Sequence, residues 1–464
     1  MRRALRIGAW TLGSLLGLCL ALVAAVLVAG NTAGGRALIE RTITRFSDGH
    51  LRLAGLAGSF PAAIDLAQLQ LADEHGVWLT AQGISLRWSP LALLARHLKV
   101  ERLHFARVDI ERRPVSHASQ SSGTSVPHTD IGELSIDALE LGPQLAGLRA
   151  SLSVRGDAHL RSLADADASL IAHRTDAPGD YQLKLRSDAA RLDGSLVLKE
   201  HAGGALANLL QVPALGEVSV EAKLNGPRNA ALLHLAASAG ELTALAQGSL
   251  DLTREAADLT YRLDAAAMAP AAELSWHRIA LEGHWQGTLD APRADAHLEI
   301  DRLQVPGNSA LKNLTANLSA EGGELALHAL AEGLVVPGPQ PRLLTDDPLR
   351  IDARVRLKEP SRPLELTADH RLFSLQAQAT TAAPMRTTFA LRLPDLTPLA
   401  VLAGEKLRGK ADLKGNVEAS SARTHLELEA STEVANGAGL VSSMLAGTSH
   451  LQLAAAMTDR TLEV

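Results

Sequence analysis

The chain has 464 residues, 46% of them hydrophobic but only 3% aromatic, and 45 basic against 51 acidic residues leave a net charge of −6. The charges are scattered, so no basic block offers a nucleic-acid surface. The one cysteine, Cys19, excludes an internal disulfide and a cysteine metal site.

The first element is apolar. Ile7 to Ala29 carries no charge over 23 residues. As a helix that span is about 34 Å long, enough to cross a hydrocarbon core of about 30 Å. Arg2, Arg3 and Arg6 precede it and the next basic residue is Arg36. The positive-inside bias then predicts a cytoplasmic N-terminus with the bulk of the chain outside. A cleaved signal peptide is the competing reading, but its apolar region usually runs about 7–15 residues, which favours an uncleaved anchor. Residues 1–30 are thus read as cytoplasmic tip and transmembrane anchor, and 31–113 as a membrane-proximal β/α cap. In that cap Ser89-Pro90 before Leu91, Leu93 and Leu94 predicts an N-cap and a helix opened by proline. Residues 114–130, rich in Ser, His and Pro, read as a flexible loop.

From 131 to 464 the dominant pattern is period-two alternation, which marks strands with one apolar face. Ile351, Ala353, Val355 and Leu357 alternate with Arg350, Asp352, Arg354, Arg356 and Lys358; Ile279, Leu281, Gly283, Trp285, Gly287 and Leu289 alternate with Glu282, His284, Gln286, Thr288 and Asp290. Val218 to Leu224 and Leu259 to Leu263 repeat it. The strands read as short, about ten residues with each turn. Short helices are expected at 206–210 and 396–402, each followed by an alternating strand, a faint echo about 190 residues apart. Val335 to Pro348, with four prolines, reads as an interruption. The sequence stops without a terminating signal, so the natural protein is expected to continue.

A sheet with one apolar face must close, stack or cover that face. The apolar positions are mostly Leu, Ala, Val and Gly, too thin for a sandwich core. The predicted fold is therefore mainly β: an elongated, curled, taco-like sheet around an apolar groove, with few short helices, behind one transmembrane helix. Ile279, Leu281, Leu289, Ile351, Val355 and Leu357 are the candidate groove residues.

Several segments resemble a known family. They are Thr32-Ala-Gly-Gly-Arg36, Gly58-Ser-Phe60, Asp65 to Asp73, Gly76-Val-Trp78-Leu79, Ile84-Ser-Leu-Arg-Trp88-Ser-Pro90 with its Leu-rich continuation, and Val100 to Ile110. In this order they are similar to the N-terminal region of TamB, the inner-membrane subunit of the translocation and assembly module, within the AsmA-like group. The resemblance is close over residues 1 to about 110 and diffuse beyond. It implies a periplasm-spanning protein of a diderm bacterium, anchored in the inner membrane. Such a protein moves phospholipid between the membranes, or helps insert outer-membrane proteins with a BamA-type barrel partner, TamA. TamB proteins are much longer, and the C-terminal domain that meets the barrel has no counterpart here.

No motif for chemistry stands out: there is no Gly-x-Ser-x-Gly elbow, phosphate loop, His-Glu-x-x-His or calcium loop. The expectation is a non-enzyme without metal or cofactor. Two functions are carried forward: a groove conducting phospholipid acyl chains, and a scaffold that binds client strands at a sheet edge.

Overall fold

The structure, a computed structural model, describes residues 31–47, 49–115, 128–162, 164–381, 385–400, 406–419, 423–438, 447–458 and 461–463. The apolar span Ile7–Ala29 lies outside these residues. Among the described helices none is long and apolar enough to cross a membrane. Two compact units emerge: one ends at Pro213 and takes in Glu217–Pro227, and the other holds Ala214–Gly216 and continues from Arg228.

The first unit opens with helix α1 (Ala33–Phe46), whose N-cap, Thr32, accepts a hydrogen bond from the Gly35 N–H. Ten strands follow: β1 (Leu51–Ala57), β2 (Ala63–Asp73), β3 (Gly76–Ser89), β4 (His97–Ile110), β5 (His128–Leu141), β6 (Ala150–Ser162), β7 (Asp165–Arg174), β8 (Gly179–Ser187), β9 (Arg191–Glu200) and β10 (Val218–Pro227). Each pairs with the next. All pairs are antiparallel except β4 and β5, which are parallel.

The parallel pair joins the strands on either side of the segment read as a loop, with Val108 opposite Leu139 and Ile110 opposite Leu141. The strands are also longer than expected: β3, β4 and β5 each have 14 residues. Gly83 is the reason in one case. It has a φ of +60° inside β3, where a Cβ would come within 2.7 Å of the Ala106 Cβ, so it bends a strand instead of ending one. Pro90 does open a helical turn, but a short 3₁₀ one, Pro90–Ala95. Ser89 does not cap it, because its hydroxyl donates to Glu101 instead, at 3.4 Å.

Two short helices, α2 (Pro143–Ala146) and α3 (Ala205–Leu209), cover one end of strands β5 to β9. Ala146, Ala150, Leu152, Val154, Ala172 and Ala205 are buried there. The sequence gives no hint of what holds this cover down. Glu200, whose side chain is 0% exposed, accepts hydrogen bonds from Arg174 at 3.2 Å, from the Tyr181 hydroxyl at 2.7 Å and from the N–H groups of Ala205 and Leu206 at 2.8 Å each. The carboxylate thus closes the first turn of α3 with charge-assisted bonds. Burial, and then the bond to Glu200, push the Tyr181 phenol well above its usual range. A Cβ on Gly204 would fall 2.2 Å from the Glu200 carboxyl carbon, so only glycine fits there.

The second unit runs β11 (Ala231–Ala239), β12 (Leu242–Asp251), β13 (Ala256–Ala265), a small hairpin of β14 (Met268–Ala271) and β15 (Leu274–Trp276), β16 (Arg278–Thr288), β17 (Pro292–Val305), β18 (Ser309–Glu321), β19 (Glu324–Glu332), β20 (Leu349–Arg356), β21 (Pro363–His370), β22 (Phe373–Thr380), β23 (Met385–Leu393), helix α4 (Thr397–Ala400), β24 (Lys406–Ala419), β25 (Arg423–Ala438), β26 (Gly447–Thr458) and β27 (Thr461–Glu463). Its ladder is antiparallel throughout, with β13 joined directly to β16 across the hairpin. In each unit the sheet is open and curled. The helices expected near 206–210 and 396–402 correspond to α3 and α4, although residues 401–405 lie outside the described ones. The Val335–Pro348 interruption falls between β19 and β20.

Replacing Glu200 by Ala should leave Arg174, 4% exposed, with Asp176 as its one remaining carboxylate among the described residues, and leave the N–H groups of α3 unmet. Glu200→Ala is expected to lower stability by about 3–5 kcal/mol in urea unfolding followed by circular dichroism. Arg186→Ala, at the exposed pair with Asp167, should cost less than about 1 kcal/mol.

Candidate functional site

Antiparallel registry carries the alternation of one strand into the next, so rows of like residues cross the sheet. In the second unit one row reads Leu263, Leu281, Leu298, Ala316, Ala329, Ile351, Ala368, Leu375, Leu391 and Leu413, from β13 to β24. Every member is apolar. Parallel to it run Leu259, Trp285, Ala294, Ala320, Leu325, Val355 and Leu364, and, on the other side, Ala265, Ile279, Ile300, Leu314, Ala331 and Leu349. These rows share one face. Four of the candidate groove residues, Ile279, Leu281, Ile351 and Val355, lie on it. Leu281 and Ile351 are four strands apart in one row, about 19 Å at 4.8 Å per strand.

The other two candidates lie elsewhere. Leu289 follows the last residue of β16 and sits in the turn to β17, 67% exposed. Leu357 lies just past β20, where its N–H donates to the Gly323 carbonyl at 2.8 Å. Both keep the sequence alternation but lie outside the strands that carry the rows.

The burial of this face is unusual. Ala265, Ala294, Ala316, Ala320, Ala331 and Ala368 are buried, whereas Leu263, Leu281, Leu298, Ile351 and Val355 beside them remain half-exposed. Tall side chains hide the small ones and stay partly exposed themselves. Among the described residues, clusters of buried apolar side chains sit in the first unit and around Leu396, Ala400, Leu407 and Val434; none lies on β12 to β22. Tyr261 lies on the same face and fills the space over Gly283, where a Cβ would meet its hydroxyl at 2.6 Å. Burial raises the Tyr261 phenol above its usual value, so it stays neutral.

The opposite face is paired charge. His284 bonds Asp258 at 2.8 Å, Arg356 bonds Glu365 at 2.7 Å, Arg392 bonds Asp412 at 3.1 Å, and His328 pairs with Asp352. A cleft of about 750 Å³ over β11 to β18 is bordered by His234, Arg262, Glu282, His284, Asp295 and His297, all on the polar rows. Among the described residues no group of three His, Cys, Asp or Glu side chains could hold a metal ion. In the β3 region Trp88 donates to the Pro61 carbonyl at 2.6 Å, and Arg87 forms a two-pronged pair with Asp65. These contacts anchor the first unit's sheet and leave the polar groups of these side chains engaged.

An ordered row of apolar side chains that crosses ten strands uncovered, backed by a solvated charged face, defines an open-faced β-sheet protein suited to elongated apolar ligands. Over residues 18–459 the sequence matches the YdbH-like family, described as intermembrane phospholipid transport protein YdbH, and the chain belongs to that family. No curated protein and no solved structure matches it. The family is an AsmA-like relative of the group the N-terminal motifs resemble, and the match extends that likeness from the first hundred residues to nearly the whole chain; it is not a match to TamB itself.

His297 checks the polar face. Its bonds to Asn317 at 2.7 Å and to Glu299 at 3.1 Å raise its pKa above the usual histidine value. Its stabilising contribution is therefore complete below the ordinary value of about 6.5 and is lost as pH rises through the raised one. Nuclear magnetic resonance titration should find His297 protonating above that ordinary value, and Asn317→Ala should move it back down.

Proposed function

We propose that this chain carries phospholipid acyl chains along the uncovered apolar face of its β-sheet, as a conduit between two membranes. One observation supports the reading above the rest: a half-exposed apolar row that crosses ten strands without a covering layer. Left in water, such a face is costly. An acyl chain laid on it removes water from both partners, at roughly 0.8 kcal/mol per buried methylene. Membership of an intermembrane phospholipid transport family agrees with that cargo.

The mechanism needs no reacting residue. Leu263, Leu281, Leu298 and Ile351 offer a surface without hydrogen-bonding groups, so a chain can slide from strand to strand without breaking any directional contact. The neutral Tyr261 adds no charge to the path. Selectivity would come from width and wall polarity. The protein is read as a transporter and not an enzyme.

We place the chain in the envelope of a diderm bacterium, held in the inner membrane by Ile7–Ala29 with its bulk in the periplasm. The anchor reading rests on the length and flanking charges of that segment. Assembly of outer-membrane proteins with a BamA-type barrel gains no support from the family match. Client-strand addition is also disfavoured at β1, because α1 packs beside this edge strand and Glu40 accepts the Leu56 N–H at 2.7 Å.

Leu281→Arg and Val355→Asp each put a charge on the path at a half-exposed position. Each is expected to abolish phospholipid transfer between donor and acceptor vesicles while moving the unfolding midpoint little. Photoreactive side chains at 281 and 355 should give phospholipid adducts by mass spectrometry. Transfer at the unaltered rate in both variants, or adducts to protein alone, would sink the reading.

A further inference from the structure

Helix α1 presents two faces. At 100° per residue Ile39, Ile43, Glu40 and Thr44 share the side toward the sheet, and Leu38, Arg41, Thr42, Arg45 and Phe46 share the other. The inner side is engaged: Glu40 holds the Leu56 N–H, and Thr44 donates to the Glu40 carbonyl at 2.9 Å. The outer side is bare, with Leu38 63% exposed and Phe46 87% exposed.

Arg41 and Arg45 interleave with these apolar side chains. Among the described residues neither guanidinium makes a hydrogen bond or ion pair, whereas that of Arg36, on the same helix, donates to the Gly58 carbonyl at 2.8 Å. Arg41 and Arg45 also border a cleft of about 530 Å³ between α1 and the start of β1, with Glu40, Thr44, Gly49 and Leu53. Leu53 begins an apolar row. Across β2 to β5 it continues as Leu69, Ala81, Val108 and Leu139. The cleft therefore opens where the apolar face of the first sheet begins.

The position in the chain says what covers this helix. Only Gly30, Asn31 and Thr32 separate α1 from the apolar segment Ile7–Ala29. Three residues reach at most about 10 Å. If that segment crosses the membrane, α1 starts within the headgroup layer, where exposed Leu and Phe are at home and unpaired arginines meet phosphates.

We propose that α1 lies in the headgroup layer of the bilayer, with Leu38 and Phe46 inserted. In this place Arg41 and Arg45 hold a phospholipid phosphate at the mouth of the cleft, so that the acyl chains face Leu53. The occupant is a membrane phospholipid. The site deepens the transport reading and rests on it for its purpose, but its location can be tested without transport.

The full chain, with Cys19→Ser, is reconstituted into vesicles of phosphatidylethanolamine and phosphatidylglycerol. An environment-sensitive dye is attached at Phe46→Cys or, as a control, at the exposed Leu232→Cys. Headgroup-level spin-labelled lipid should quench the dye at 46 and leave the dye at 232 unchanged. Leu53→benzoylphenylalanine should cross-link phospholipid, and the yield should fall about fivefold for each arginine replaced in Arg41→Gln and Arg45→Gln. Absence of quenching at 46, or a Leu53 yield indifferent to both arginines, would overturn the proposal. Quenching at 46 and arginine-dependent adducts at 53, with none at 281 or 355, would uphold it and sink the transport reading instead.

Discussion

Everything in this molecule depends on the registry of its backbone ladder. A one-residue slip between two neighbouring strands would send every apolar side chain of one strand to the charged side. Along β13 to β24 no such slip occurs, and the result is a surface no strand has alone. On the apolar face each strand contributes only a few residues of Leu, Ile, Val or Ala. Aligned without a shift, these become rows whose members touch across the sheet.

Such rows normally drive a second layer into place, because exposed apolar surface is unfavourable. The first unit follows the rule: α2 and α3 cover the end of β5 to β9, held by a buried carboxylate that joins Arg174, Tyr181 and the first turn of α3. The second unit departs from it along most of its length. Its alanines are buried only by their taller neighbours. A face that is regular, continuous and partly exposed is what the proposed acyl-chain path requires, and membership of an intermembrane phospholipid transport family agrees with it. The paired charges on the opposite face keep that side in water.

The helix ahead of the first sheet links the two themes. Its inner side seals the edge strand β1 through Glu40, and its outer side sets exposed Leu38 and Phe46 beside arginines whose side chains have no partner among the described residues. One element thus blocks strand addition at the sheet edge and presents a membrane-like face next to the start of an apolar row. Neither role needs the other, but both follow from where α1 falls, three residues after a long apolar segment.

Strand character, the two faces and the apolar side of each strand can be read from the residues alone, because period-two alternation is a local property. Ile279, Leu281, Ile351 and Val355 were legible for that reason. So was the likeness to AsmA-like proteins, carried by local motifs around Gly76, Trp88 and Pro90, although these pointed to TamB and the chain as a whole matches the YdbH-like family. Where a strand ends depends on its partner, which no local pattern shows: Leu289 and Leu357 alternate as well as their neighbours, yet both fall just past the end of a strand. The tertiary structure alone placed β5 in parallel beside β4 across the 114–130 segment. It alone joined Glu200 to Arg174, 26 residues earlier in the chain, and left the Arg41 and Arg45 guanidiniums without a partner among the described residues. Contacts between residues distant in sequence leave no period to read, and the absence of a covering layer can be seen only once every other element has taken its place.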